Sequence, residues 1–507
     1  MRLLVIGWLT GLALQTGAFG TIDTERRYQA TRSLWRGELE VLPGSFPDFG
    51  LQGPDGVIHT WYGIGQSLLM LPADLAAGAV TKLAHVGPVL RRKAEAGLVA
   101  YATFPLLTAL TAFLGYLLLR ELGFGRRARI YGTLAWLFGT TCLNYAQIHF
   151  ENSLDLVSAL LVFLGTLRWA KSGARVPLIC AGFAAALDLT ARLHTVADSV
   201  IYAGAAIVAV LPNESGARAA WLKNRVYDFV LIFGLLTACG LAVDRGYQVA
   251  RFGWGAVGTS YIHIWSSQFS RQHPGLPENY VFSGPLVPGL LNPLVGRNRS
   301  MFLYDPLAIA LPLVAGVVWY ARRMGRPVAV LLSAAAAALL LRLLFFARFI
   351  YEGGGVSWSS RYTLTPLQLM LLLTVPLFYQ ALDRIPRAFR FVFLTVLCGS
   401  VALQLASVLV SPSLEVMQAN CTGRPAFIVP DRMLNAVRLL TGHASQSSCE
   451  GKIPGDVLRV QFMPWLNGPE LPNAVHSGLL VGWFLLVAVL LFAIAKLLAE
   501  TAGAEPE

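Results

Sequence analysis

Two carboxylates, Asp23 and Glu25, follow the first apolar run of the chain within the stretch Thr21-Ile22-Asp23-Thr24-Glu25-Arg26-Arg27-Tyr28. A carboxylate that emerges beside a membrane can accept a proton from a substrate hydroxyl as a general base. The same spacing also suits a helix start, with Asp23 as the N-cap and Glu25 in the first turn. Further on, Asp55-Gly56-Val57-Ile58-His59-Thr60-Trp61-Tyr62-Gly63-Ile64-Gly65-Gln66-Ser67 mixes turn glycines with aromatic rings and a histidine. His59 and Tyr62 can contact a polar ligand; an interfacial aromatic belt has the same composition. Glu151, Arg192, Arg251 and Arg361 each stand between apolar runs. An arginine placed there can grip an anion or extend its head toward lipid phosphates. Asp155, Asp188, Asp198 and Arg342 lie in or beside apolar runs, where charge faces a bundle interior. Asp188 and Arg192, four residues apart, share one face of a helix and are expected to pair.

These residues must be positioned by membrane helices. The chain has 507 residues, of which 55% are hydrophobic and 13% charged. About a quarter of an ordinary soluble domain is charged, so a soluble multidomain enzyme is excluded. The net charge of +12 sits mostly in short connectors, a pattern of membrane orientation and not of nucleic-acid binding. The apolar runs cover residues 1–19, 96–119, 130–148, 154–167, 176–189, 196–211, 229–243, 306–320, 328–345, 364–377, 391–410 and 478–495. Alternate connectors are short and basic, which fits about twelve spans with both ends inside. The expected fold is all-α, a polytopic helical bundle. The first run is read as an uncleaved helix, although Gly17-Ala18-Phe19-Gly20 suits a signal-peptide cleavage site. Residues 64–80, interrupted by Pro72 and Asp74, are read as an interfacial helix, which leaves Arg91, Arg92 and Lys93 outside as an exception to the charge rule.

That arrangement leaves four sizeable outer segments, 20–95, 244–305, 347–362 and 411–477, and two short ones around Glu151 and Arg192. Residues 1–410 form the main membrane domain with outer loop 20–95, residues 411–477 an outer cap, and residues 478–507 the last helix and a cytoplasmic tail. Of six cysteines, Cys142, Cys180, Cys239 and Cys398 lie in apolar runs. Cys421 and Cys449 share the cap segment and can pair if it is outside. No zinc, Walker or CxxC spacing occurs. Asn298-Arg299-Ser300 and Asn420-Cys421-Thr422 match the N-glycan acceptor pattern and are read as chance.

A carboxylate after the first helix, then a surface helix, then Asp55-Gly56 and Tyr62-Gly63-Ile64-Gly65-Gln66-Ser67, resembles the GT-C class of membrane glycosyltransferases. The similarity is to bacterial relatives of the dolichyl-phosphate-mannose protein mannosyltransferase and aminoarabinose transferase group. Phe150-Glu151-Asn152, Arg251-Phe252-Gly253, Gly289-Leu290-Leu291, Ser300-Met301-Phe302-Leu303-Tyr304-Asp305-Pro306, Tyr351-Glu352-Gly353-Gly354 and Trp358-Ser359-Ser360-Arg361-Tyr362 extend it to Tyr362. Two departures stand out. Thr24 splits the usual Asp-Glu pair, and Ser359 and Ser360 stand in a motif that relatives often write Trp-Gly-x-Arg-Tyr.

The resemblance implies inverting transfer of a hexosyl or pentosyl group from a polyprenyl-phosphate donor to an envelope acceptor, on the extracytoplasmic side of the inner membrane. It implies Asp23 as base, Glu25 as second choice, and Glu151 as an assisting carboxylate. Arg361 would bind the donor phosphate, with Arg192 and Arg251 in reserve, and His59 and Tyr62 would contact sugar or acceptor. The partners would be the lipid-linked donor, membrane lipids and a glycan, lipid or protein acceptor, with no nucleic acid. No cofactor is required by the reading; a divalent metal is left open. A multi-pass transporter or lipid flippase, or a non-catalytic envelope-assembly protein, would share the bundle.

Overall fold

The computed structural model describes residues 1–41, 50–277, 279–310, 325–350, 357–381, 386–443, 449, 452–467, 469 and 471–503. Tyr351-Glu352-Gly353-Gly354 and most of the run at 306–320 lie outside the described residues. The chain is largely helical, and its only described strands form one short hairpin. Seven of the described helices are long and apolar enough to cross a membrane: Leu90–Glu121, Asn152–Ser172, Ser215–Phe252, Arg326–Phe346, Arg361–Gln380, Arg387–Leu409 and Asn473–Ala502. Arg2–Leu14, Thr195–Val210 and Leu286–Val295 are shorter apolar helices. These features describe an all-α membrane bundle.

Helix α1 (Arg2–Leu14) is shorter than the expected first span. Its Gly7 and Gly11 face α4 (Pro88–Glu121), where an added Cβ would lie 2.8 Å from Ala109 Cα and 2.6 Å from Pro105 Cα. Small residues four apart let two membrane helices touch backbone to backbone, and dispersion gains from that approach are the main attraction inside lipid. Helix α4, at 34 residues, is about 50 Å long by helix rise and overshoots a hydrocarbon core of about 30 Å. The overshoot accounts for the basic cluster that broke the charge rule. Arg91 sits in the first turns of α4 and bonds Glu95 at 2.9 Å. Glu95 also accepts from Arg32 at 2.7 Å and Arg36 at 3.0 Å, both on α2 (Ile22–Arg36).

Helix α2 begins at Thr21, whose hydroxyl accepts the Thr24 N–H; Thr21, not Asp23, is the N-cap. The hairpin of β1 (Gly50–Gln52) and β2 (Ile58–Thr60) follows, pairing Leu51 with His59. The expected helix over 64–80 is α3 (Gly65–Leu83), which continues through Pro72 and Asp74 without a break. Asp74 is buried because Tyr28 and Trp35 both donate to it, at 2.8 and 2.7 Å.

The expected span 130–148 is broken into α5 (Arg126–Gly139) and α6 (Cys142–Gln147). Thr140 is extended, and the Asp305 carboxylate accepts the Thr141 N–H at 2.6 Å. That side-chain acceptor replaces the intrahelical carbonyl, which is how a helix interior becomes a new N-terminus. Helices α7 (Asn152–Ser172), α8 (Arg175–Ala191) and α9 (Thr195–Val210) pack in sequence. The expected run 229–243 is the middle of one long helix, α10 (Ser215–Asp228) joined by a π turn at Phe229–Gly234 to α11 (Leu235–Phe252). Then come α12 (Tyr261–Gln272), α13 (Leu286–Val295), α14 (Met301–Tyr304), α15 (Arg326–Phe346), α16 (Leu364–Ala381) and α17 (Arg387–Leu409).

Helices α7 and α16 are buried along most of their length and form the centre; α10–α11 and the last described helix, Asn473–Ala502, lie outside. Between α17 and α21 (Asn473–Ala502) a small cap holds α18 (Leu414–Thr422), α19 (Ile428–Leu440) and α20 (Met463–Leu466). Cys421 and Cys449 are disulfide-bonded there. Arg432 of α19 grips Glu415 through two bonds of 2.7 and 2.6 Å and donates to Ser407 and Val410 carbonyls, seating the cap on the end of α17. The amide of Asn298 is occupied by Ala426 and Ile428 of the same cap, so it is no glycan acceptor in the folded chain.

Gly11→Val forces α1 away from α4 and is expected to cost about 1–3 kcal/mol, the usual range for overpacking. Gly204→Ala on α9, where nothing lies within 4 Å of the new methyl, should leave stability unchanged or slightly higher. Thermal midpoints of the two variants in the same detergent check this.

Candidate functional site

One end of the bundle gathers three arginines and two carboxylates from four elements. Arg361, at the start of α16, pairs with Asp23 of α2, Nη1 to Oδ2, at 2.7 Å. Arg27, one turn along α2 from Asp23, pairs with Oε2 of Glu151 at 2.7 Å. Arg192, after the end of α8, donates through Nε and Nη2 to Oε1 of Glu151. Asp23, Arg27, Glu151 and Arg192 are buried, and Arg361 nearly so.

Aromatic faces line the group. The Arg27 guanidinium lies 4.1 Å from the Tyr62 ring centre, Arg361 lies 4.6 Å from Phe150, and Arg192 lies 5.4 Å from Tyr362. Such faces attract a partly desolvated cation by about 1–2 kcal/mol each. Burial raises the pKa of Asp23, but Arg361 and then Arg27 outweigh it and hold the carboxyl below its ordinary value. Glu151 is likewise held below its ordinary value: burial opposes its charge, and Arg192, Arg27 and Arg361 together overcome that. Both carboxylates are therefore ionised at neutral pH. The cluster carries three positive charges against two negative. Arg27 Nη1, Arg192 Nη1 and Arg361 Nε are buried and make no hydrogen bond.

Local sequence explains the placement. Glu151 stands in a turn between α6 and α7, and the carbonyl of His149 in that turn accepts from Thr24 of α2 and Gln66 of α3. Thr24, the residue that splits the Asp-Glu pair, therefore fastens the Glu151 turn to the helix carrying Asp23. Gly63 and Gly65 bring Tyr62 in: an added Cβ would lie 2.3 Å from the Thr190 carbonyl oxygen and 2.6 Å from the Ala191 nitrogen, respectively. The motif Tyr62-Gly63-Ile64-Gly65 is thus pressed against the last turn of α8, beside Arg192. Asn152 donates to the Arg361 carbonyl at 2.7 Å and ties the start of α16 to that of α7.

The expected residues divide into two groups. Asp23, Glu151, Arg192, Arg361 and Tyr62 come together. Glu25 points elsewhere on α2: burial raises its pKa, and its charged neighbours are Arg92, Arg26 and Arg32. Arg251 and His59 belong to a separate group around the hairpin. Arg251 donates to the carbonyls of Thr60 and Tyr62 and lies 3.6 Å from Glu40, so it clamps the backbone below Tyr62. His59 faces Glu40 at 3.8 Å and Asp55 at 3.5 Å.

The expected Asp188–Arg192 pair does not form. Arg192 adopts an extended backbone after α8, φ −150° and ψ 113°, which turns its side chain out of helical register and onto Glu151. Asp188 instead joins a buried group below. There Arg342 of α15 bonds Asp155 at 2.9 Å and Asp198 at 2.6 Å. Arg27 is the residue that reading the sequence missed; its spacing of four from Asp23 on a short amphipathic helix was the available signal. Among the described residues no three His, Cys, Asp or Glu side chains gather as a metal site. Comparison of the chain with protein-family models, curated proteins and solved structures gives no match.

Ser359, two residues before Arg361, has φ 67°, in the left-handed region. Ser359→Gly removes a backbone cost of about 1 kcal/mol, so the variant is expected to melt higher than the wild type in a thermal-shift measurement. The hairpin carries a pH dependence. Glu40, against partial burial and with help from Asp55, raises the His59 pKa above 6.5. Its contribution is complete below the unfolded value and lost as pH rises through the raised folded one. Amide-exchange protection of Ile58–Thr60 should fall over that range above pH 6.5, and His59→Gln should flatten the profile.

Proposed function

We propose that the chain is a glycosyltransferase that takes a sugar from a polyprenyl-phosphate donor and passes it to an envelope acceptor on the extracytoplasmic side of a cell membrane. The observation that carries this reading is the buried group of Arg27, Arg192 and Arg361 around Asp23 and Glu151. Its one uncompensated positive charge matches the single negative charge of a phosphodiester. Its three unmade N–H donors suit phosphate oxygens, and guanidinium forks are well shaped for them.

In the proposed reaction the acceptor hydroxyl attacks the anomeric carbon from the face opposite the phosphate. The new carbon–oxygen bond forms as the sugar–phosphate bond breaks, and polyprenyl phosphate leaves with the electron pair. Asp23 takes the acceptor proton. Arg361 and its neighbours stabilise the charge gathering on the leaving oxygens. A phosphate entering beside Arg361 competes with Asp23 for that guanidinium. This frees the carboxylate lone pairs, and raises their basicity, when donor is in place. Glu151 acts as counterion, keeping Arg27 and Arg192 together.

The sidedness has its own supports. Helix α7 begins just after Glu151 and carries Lys171 in its last turn, so the basic connectors Arg168–Arg175 and Arg126–Arg129 lie at the far end from the cluster. Positive charge favours the cytoplasmic face. The disulfide of the cap belongs to an oxidising compartment. About twelve crossings with both ends inside complete this topology. One observation favours the transporter reading, the buried Asp155–Arg342–Asp198 group. A transporter would move its lipid without breaking the glycosidic bond.

Asp23→Asn should lower transfer of radiolabelled sugar from a polyprenyl-phosphate donor in membranes by about 10²-fold or more. Glu25→Gln should retain near wild-type transfer. Transfer unchanged in folded Asp23→Asn, or lipid movement with no glycosidic cleavage in wild-type protein, removes the proposal.

A further inference from the structure

Beneath the charged cluster lies a second polar layer, in register with the first. Asp155 is one helical turn after Glu151, and Asp188 is one turn before Arg192. Thr365 is one turn after Arg361. Arg342 joins Asp155 of this layer to Asp198 of α9. Its Nη2 reaches Asp155 at 2.9 Å, its Nε reaches Asp198 at 2.6 Å, and its Nη1 donates to the Tyr362 carbonyl at 3.2 Å. The Thr365 hydroxyl donates to Asp155 at 2.7 Å. All of these side chains are buried.

We propose that Arg342 is a positioning residue for the phosphate-binding guanidinium of Arg361, acting through the Tyr362 carbonyl and the Asp155–Thr365 bond. The proposal rests on the glycosyltransferase reading. Arg361 stands on a 3₁₀ turn, Arg361–Thr363, that follows Ser359 in its left-handed conformation. That turn is closed by short-range bonds, Thr363 N–H to the Ser360 carbonyl and Leu364 N–H to the Arg361 carbonyl, whose geometry is poorer than that of an α-helical ladder. Two contacts from neighbouring helices reinforce it: Asn152 on the Arg361 carbonyl, and Arg342 on the next one. Because Arg342 also holds Asp155 and Asp198, it ties the starts of α7, α9 and α16 into one unit. A guanidinium serves three acceptors at once from one plane; a lysine ammonium, a point donor on a flexible stem, does not hold that geometry. The position of the layer, one turn below the cluster and bonded to the backbone of it, is what a placement role requires.

The test uses undecaprenyl phosphate as probe and full-length protein in nanodiscs. Wild-type protein should bind it saturably, and Arg361→Ala should weaken binding strongly. Arg342→Lys should weaken it about tenfold to a hundredfold, the usual consequence of a misplacement near 1 Å. Thr365→Val, a near-isosteric change that keeps the fold if Arg342→Lys does not, should weaken it about threefold to tenfold. In the Arg361→Ala background neither second change should weaken binding further, because both act through Arg361. Full additivity in that background, or unchanged affinity in the folded single variants while wild type binds, overturns the positioning role alone. Wild-type protein that does not bind undecaprenyl phosphate overturns the donor reading on which the proposal rests.

Discussion

Three guanidinium groups cannot be buried at one end of a helical bundle unless something holds them there, and the rest of the structure follows from how that is done. Buried like charges repel strongly in a medium less polar than water. Asp23 and Glu151 offset two of the three charges, and the faces of Tyr62, Phe150 and Tyr362 offer further attraction. Removing either carboxylate would leave an uncompensated buried cation, which typically costs 3–5 kcal/mol. The elements bearing these groups, α2, α7, α8 and α16, are therefore constrained by charge as well as by apolar packing. The surplus charge that remains is the feature apolar packing alone would not have produced.

The helix most in need of support is α2, which is short and not strongly apolar. It is held at both ends by charge. At its start Thr24 fastens the Glu151 turn and Asp23 meets Arg361. At its end Arg32 and Arg36 converge on Glu95, while Tyr28 and Trp35 converge on Asp74. Glu95 and Asp74 belong to α4 and α3, so the same contacts that orient Asp23 also explain why those helices carry acids at buried positions. The basic residues Arg91 and Arg92, an exception when sidedness is judged from charge counts alone, fall in a stretch where α4 has outrun the thickness of a hydrocarbon core. Arg91 there serves Glu95.

What was legible in the residues depended on whether a local rule decided the matter. Apolar runs announced the long helices, since length and hydropathy alone determine them. The helix start at 21–25 was legible, but the cap went to Thr21 because its hydroxyl, not the Asp23 carboxylate, reaches the Thr24 N–H. Asp23, Glu151, Arg192 and Arg361 were legible as charges flanking apolar runs. Their pairing was not, because it joins residues on separate elements, 41 positions apart for Glu151 and Arg192 and 338 for Asp23 and Arg361. Arg192 shows the limit most clearly. Spacing assigns it to Asp188, yet one extended residue at the end of α8 sends it to Glu151 instead. The break at Thr140 was hidden for the same reason, since the acceptor that stabilises it is Asp305. Arg251, expected near the phosphate, and His59, expected to contact sugar or acceptor, serve the hairpin, which no helical or apolar pattern could reveal.

The two departures from the glycosyltransferase pattern bear on the resemblance more than the matches do. Thr24 interrupts the acidic pair, but its hydroxyl is spent on the His149 carbonyl, so the interruption supplies a bond that places Glu151. Glu25, pushed one position along, faces Arg26, Arg32 and Arg92, and Glu151 provides the second carboxylate at the cluster. Ser359 occupies a place that the proposed glycosyltransferase pattern gives to glycine, and its backbone keeps the left-handed conformation that glycine adopts at little cost. A residue change that leaves so unfavourable a backbone angle in place indicates that the angle is imposed by its surroundings. The Ser357 hydroxyl donates to the Ser359 carbonyl at 3.1 Å, and Asn152 and Arg342 hold the next two carbonyls beyond Ser360 and with them the start of α16. The geometry around Arg361 is thus built by bonds from neighbouring helices, and the chain bears a local strain to keep it.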